Sequence, residues 1–277
     1  MARAEANRLR LRVVSALVLA PFPLAAIWFG GGWLALLTAA AAAVMAWEWG
    51  RLCRGGMARL FTPGAAEIAL VIITVADVAI SATGAILAAI AVAVVGAGSV
   101  FLIAQWRRGG EPGWTAFGLL WIALPCISLM WLANENIGGR AILLWLLFVV
   151  WATDIGAYAV GRSVGGPRLA PRWSPRKTWA GLVGGMLSAA LAGGVTALAV
   201  EHSPAQLLIL VSAGLAVVAQ FGDLAESLAK RRFGVKDSSA LIPGHGGLLD
   251  RLDGLLAVLP VVALMTLIGG RSVLAWR

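Results

Sequence analysis

Asp223 and Glu226 stand three residues apart, and Asp250 and Asp253 repeat that spacing further along. On a helix such positions share a face, so each pair presents two carboxylates together. Between the pairs lie Lys230, Arg231, Lys236 and Asp237, then Pro243-Gly244-His245-Gly246-Gly247, and Arg251 follows. The stretch from Gly222 to Gly254 contains four of the chain's six aspartates and two of its three lysines. The third, Lys177, sits in a second polar stretch, Trp173-Ser-Pro-Arg-Lys-Thr-Trp179. Carboxylates beside lysines and arginines suit a metal-assisted reaction of phosphates. Mg²⁺ takes one or two carboxylates and fills its shell with water and phosphate oxygens, while Lys and Arg neutralise the remaining polyphosphate charge.

Charge alone would fit a solvated loop whose acids balance its bases. The run of Gly, Pro and His argues against that, since His245-Gly246-Gly247 offers backbone N–H groups unobstructed by side chains, an anion nest. The elements around it are expected as follows. A helix runs through about Lys230, a break falls at Gly234, a loop extends from Lys236 to Gly247, and a helix restarts before Asp250.

The elements that must position these groups are apolar. Of 277 residues, 60% are hydrophobic and 13% charged, the composition of an integral membrane protein. Cys53 and Cys126 form no metal-ligand spacing and no disulfide framework. At about 20 apolar residues per span, the hydropathy predicts nine helices near 12–29, 32–49, 65–81, 84–105, 115–133, 140–161, 179–200, 205–226 and 253–270. The expected class is an all-α polytopic membrane protein, its first helix retained rather than cleaved as a signal peptide. A four-helix region over 1–114 would precede a five-helix catalytic region over 115–277 with cytoplasmic loops 162–178 and 227–252.

The net charge of +9 does not point to nucleic acid, because the bases lie in short loops between spans. With the N-terminus inside, every Lys and Arg except Arg140, Arg271 and Arg277 falls on the cytoplasmic side, as the positive-inside bias requires. Both polar stretches then share that face. Glu48, between Trp47 and Trp49, reads as an interfacial residue in an aromatic belt, and the other tryptophans read as anchors. Asp77 is expected near a wetted helix end. Gly184-Gly185 and Gly193-Gly194 are expected to let helices approach closely.

Ser227-Leu-Ala-Lys-Arg-x4-Lys-Asp, followed by Ser239-x2-Ile-Pro-x-His-Gly-Gly-Leu-x-Asp-Arg-Leu-Asp253, resembles the signature of the phosphatidate cytidylyltransferases. Asp154-Ile-Gly-Ala-Tyr158, Gly161-Arg162, Leu169-Ala-Pro171 and Ser174-Pro-Arg-Lys-Thr-Trp179 resemble the segment that precedes it. Two positions depart: Ala229 replaces a larger apolar residue, and Ala180 stands where an acid is usual. The resemblance implies that phosphatidic acid attacks the α-phosphorus of CTP, giving CDP-diacylglycerol and pyrophosphate. It also implies Mg²⁺, multi-pass residence in the inner membrane among its lipids, and an active site facing the cytoplasm. A second metal ion and a homodimer stay open.

On that basis Asp223 and Asp250 are expected to hold the metal, with Glu226 and Asp253 as weaker ligands or their supports. Lys230, Arg231, Lys236 and Arg251 are expected to hold phosphates, and Asp237 to lie beside the substrate. Ser174, Lys177 and Thr178 form a second phosphate grip, while Gly246 and Gly247 supply amides. His245 contacts phosphate or cytosine, or is a capped structural residue. Asp154 is functional or pairs with Arg162. The rivals are a CTP-dependent transferase on another lipid phosphate, a lipid kinase, an inactive relative, and an anion transporter. A transporter would carry charges in the spans of both halves, and an internal repeat would point the same way.

Overall fold

The computed structural model describes residues 18–53, 64–107, 111–134, 136, 138–200, 204–242 and 246–275. The basic N-terminus, Arg54, Arg59, Arg108, His202 and Pro243-Gly244-His245 lie outside the described residues. The chain is an all-α polytopic membrane protein with, among the described residues, one short hairpin. Its helices are α1 (Pro21–Phe29), α2 (Gly31–Cys53), α3 (Ala65–Ala82), α4 (Ile86–Trp106), α5 (Pro112–Leu132), α6 (Gly139–Ser163), α7 (Trp179–Ala199), α8 (Ala205–Arg232) and α9 (Leu249–Gly269). Strands β1 (Arg168–Ala170) and β2 (Ser174–Thr178) pair antiparallel between α6 and α7.

Among the described residues, α2 to α9 are each long and apolar enough to cross a membrane. In lipid a helix is the open-chain structure that satisfies its own backbone, which is why hydropathy located these elements within a few residues. Helix α1 is described from Pro21, and the start of the expected first span lies outside the described residues. The stretch 168–178 was expected as loop and is a hairpin, with Arg168 paired to Thr178 and Ala170 to Ser174.

The backbone forms two compact units. One comprises Met1–Met130 with Lys230–Leu252, the other Trp131–Ala229 with Asp253–Arg277. In the first, α2 packs on α3 and α3 on α4. Its core includes Trp49, whose indole N–H donates to the Trp114 carbonyl at 2.7 Å, and rings of Trp114, Phe117 and Trp121 continue the cluster. Phe233 stands edge-on to Trp114, centroids 6.0 Å apart, and Arg232 pairs with Glu111 at 2.8 Å. These contacts tie the end of α8 to the start of α5.

In the second unit α6 packs closely on α7. A methyl group at Gly184 would lie 2.9 Å from the Gly156 carbonyl, so the small residues permit this approach. Gly193 likewise faces the Leu208 carbonyl of α8. The Trp145 indole N–H donates to Ser212 Oγ at 3.0 Å. Trp49 and Trp145 are therefore buried, not interfacial anchors as expected. Asp77 also departs from expectation. It is fully buried, with neither carboxylate oxygen hydrogen-bonded among the described residues.

Candidate functional site

In the first unit, Gly234 closes α8 at a φ of +71°, a left-handed conformation that favours glycine. The Val235 amide then donates to the Lys230 carbonyl at 2.9 Å, turning the chain into the loop that leads to α9. Ile242 and Gly246 bridge across that loop through a 2.8 Å bond. Asp250, in the first turn of α9, gathers its surroundings: one oxygen pairs with Lys230, and the other accepts from the Ser238 amide (2.9 Å), Ser238 Oγ (2.9 Å) and the Gly247 amide (2.8 Å). Lys230 is buried here, and the Asp250 side chain is only 5% exposed.

The same loop is held from a second side by Glu48. Its carboxylate is wholly buried and accepts from Ser239 Oγ (2.6 Å), Leu248 N–H (2.9 Å), Leu249 N–H (2.9 Å) and Ser238 Oγ (3.2 Å). The expectation of an interfacial Glu48 is therefore corrected: this residue of α2 grips the signature loop. The misleading signal was its flanking tryptophans. The informative one was an acid inside a predicted span, which marks a functional candidate by default.

Arg231, Lys236, Asp237 and Arg251 are exposed around this loop. The Arg231 guanidinium donates to the Val235 carbonyl at 2.9 Å. Gly246 adopts a φ of +82°, and Gly247 lies against Glu48 and Ser238. His245 lies outside the described residues.

In the second unit the hairpin ends at Thr178, which caps α7 by accepting from the Gly181 amide at 3.0 Å. That cap fixes Lys177, the preceding residue, and its Nζ lies 2.5 Å from Asp223 Oδ2. The pair is mostly shielded, the side chains being 16% and 35% exposed. Ser227 Oγ donates to the other Asp223 oxygen at 3.3 Å. Ser174 is half-buried on β2, and Arg162 is exposed near the end of α6.

Asp223, Glu226 and Asp154 all act electrostatically on Asp253. Gly222 permits α8 to meet α9 there, for a methyl group on it would lie 2.5 Å from the Asp253 carbonyl. This is a concentration of hard oxygen donors in which Lys177 supplies a cation to Asp223. Its chemistry fits Mg²⁺. Among the described residues no three His, Cys, Asp or Glu side chains converge closely enough to form a finished coordination site.

The structure thus gathers Lys230, Asp250, Gly246 and Gly247 in one unit, and Lys177, Thr178, Asp223, Glu226 and Asp253 in the other. Asp154, left open in the sequence, stands with these acids.

A cytidylyltransferase family model matches residues 10–268. A phosphatidate cytidylyltransferase of Brucella suis is 38% identical over 267 residues, covering 95% of this chain and 94% of its own length. One from Pseudomonas aeruginosa is 35% identical over 269 residues, covering 92% and 96%. One from Staphylococcus saprophyticus is 42% identical over 151 residues, covering 54% and 58%.

Proposed function

The chain belongs to the cytidylyltransferase family, and from that premise we propose that it joins CTP to phosphatidic acid. A phosphate oxygen of the lipid forms a bond to the α-phosphorus of CTP. The bond from that phosphorus to the β-phosphate oxygen breaks, giving CDP-diacylglycerol and pyrophosphate. No general base is required, because the lipid phosphate is already ionised near neutral pH. Two anions must meet, so charge neutralisation and positioning supply most of the catalysis.

The observation that carries this reading is the Lys177–Asp223 pair. A cation and a carboxylate from separate polar stretches are held together where solvation alone would ask for neither. Lys177 serves as a phosphate grip, supported by the Thr178 cap, and Ser174 lies on the same strand. Lys230 is oriented by Asp250, and together with Arg231, Lys236 and Arg251 it neutralises phosphate. The Gly247 amide, expected from the sequence to bind an anion, donates to Asp250 instead and so helps hold the carboxylate that orients Lys230.

Asp223 and Asp253, with Glu226, would hold Mg²⁺. Asp250 serves first as the partner of Lys230 and becomes a metal ligand only in exchange for it. When bound, the ion would neutralise polyphosphate charge and orient the leaving group. The cytoplasmic face of the inner membrane, where CTP is available, is the proposed side of the reaction.

The test is pyrophosphate release by the purified protein in mixed micelles. It should require CTP, Mg²⁺ and phosphatidic acid together. Equal release with diacylglycerol, or release without lipid, would refute the assignment.

A further inference from the structure

We propose that Glu48 is a positioning residue for this reaction, acting through Ser238, Ser239 and the turn 247–249 on the Lys230–Asp250 pair. The inference rests on the reading of that pair as a phosphate-binding element. Glu48 sits on α2, about 190 residues before its partners in the chain. Each of its oxygens takes one serine hydroxyl and one backbone N–H. Oε1 accepts from Ser239 Oγ and Leu248 N–H, and Oε2 from Ser238 Oγ and Leu249 N–H.

Three features make this more than a buried acid finding partners. First, the two amides belong to the start of α9, where N–H groups lack intrahelical acceptors and the helix dipole favours negative charge. The Gly247 amide goes to Asp250, so two carboxylates share the opening of this helix. Second, Ser238 Oγ lies 3.2 Å from Glu48 and 2.9 Å from Asp250. A hydroxyl has one hydrogen, so the two acids share a single donor, and moving one alters the bond of the other. Third, the fit leaves no slack: a methyl group at Gly247 would lie 2.5 Å from Glu48 Oε1.

The donor pattern calls for a carboxylate. In glutamine one oxygen becomes an NH₂ group. A serine hydroxyl can turn to accept from it, but a backbone N–H cannot. Whichever way the amide is flipped, Leu248 or Leu249 faces a donor, and the turn that presents Asp250 must shift.

The test compares wild type, Glu48→Gln, Ser239→Ala and the double variant in detergent. Two readouts are used: steady-state kinetics with CTP varied, and hydrogen exchange of the peptide covering 238–249. Glu48→Gln should raise KM for CTP at least fivefold and lower kcat/KM at least tenfold. Exchange should quicken in 238–249 and stay unchanged in α3 and α4. Ser239→Ala should move both readouts in the same direction by less. The double variant should be within about twofold of Glu48→Gln, because both substitutions break one link.

A lower kcat with unchanged KM would mean only that less protein is folded, and would overturn the proposal. Wild-type exchange in Glu48→Gln, or effects that multiply in the double variant, would also overturn it. If Glu48→Gln does not accumulate as folded protein, Ser239→Ala alone decides, and wild-type values for it refute the coupling. If the wild type forms no liponucleotide, the proposed reaction fails, while the exchange arm still decides whether Glu48 holds the loop.

Discussion

Replacing Gly247 by alanine adds one methyl group at the tightest point of the signature loop. The added Cβ would lie 2.0 Å from Ser238 Oγ, 2.5 Å from Glu48 Oε1 and 2.8 Å from Glu48 Cδ. Ordinary contact begins near 3.4 Å, so the serine must retreat by about 1.4 Å. Swinging its hydroxyl aside does not clear the site, since the glutamate must move as well. Both groups are fixed by bonds to charged carboxylates or to the start of α9. A hydrogen bond to a charged group contributes about 1.5–3 kcal/mol. Losing one of them therefore predicts a fall in kcat/KM on the order of ten- to a hundredfold.

Gly214 is the control. It lies inside α8, and a Cβ there meets nothing within 4 Å, so Gly214→Ala should be neutral or stabilising by up to about 1 kcal/mol. The assay is cytidylyl transfer at varied CTP, with thermal unfolding in detergent alongside. Gly247→Ala retaining activity within twofold of wild type would refute the geometry of the Glu48–Ser238–Asp250 network.

Lys177→Ala should lower activity more than tenfold without loss of membrane insertion, since a charge-assisted phosphate contact contributes about 1.5–3 kcal/mol. Activity within twofold would return that residue to a topological role. Asp223→Asn and Asp253→Asn should each abolish turnover and be rescued at best partly in a Mg²⁺ titration. Asp250→Asn should fail at every Mg²⁺ concentration because it releases Lys230, and normal turnover at low Mg²⁺ would remove Asp250 from the site. Single cysteines at positions 172 and 236 should label from the cytoplasm and at 202 and 275 from the exterior. Labelling of 172 and 236 from opposite sides would contradict a common face for the two polar stretches.

The sequence was most legible where the solvent sets the rule. Bilayer hydrocarbon forces long apolar helices, and α2 to α9 lie close to the spans hydropathy predicts. The break at Gly234 was legible because a helix that must stop needs a left-handed residue. The hairpin at 168–178 was not, because its strands are short, the second carries Pro175, and both lack an alternating apolar pattern. Glu48 was hidden for another reason. Its role is created by donors about 190 residues away, while its own neighbours, Trp47 and Trp49, imitate an interfacial belt. Asp77 shows the same limit, for an acid's distance from a helix end does not reveal what covers it.

The most direct measurement follows the label of CTP into lipid. Purified protein is incubated with phosphatidic acid, Mg²⁺ and CTP labelled at either the α- or the γ-phosphate, and the lipid is extracted. Cytidylyl transfer predicts that α-label enters a liponucleotide in step with pyrophosphate release, and that γ-label stays in the aqueous pyrophosphate. Label from the γ-position in the lipid would identify a kinase, and no label in lipid from either position would contradict the proposed reaction.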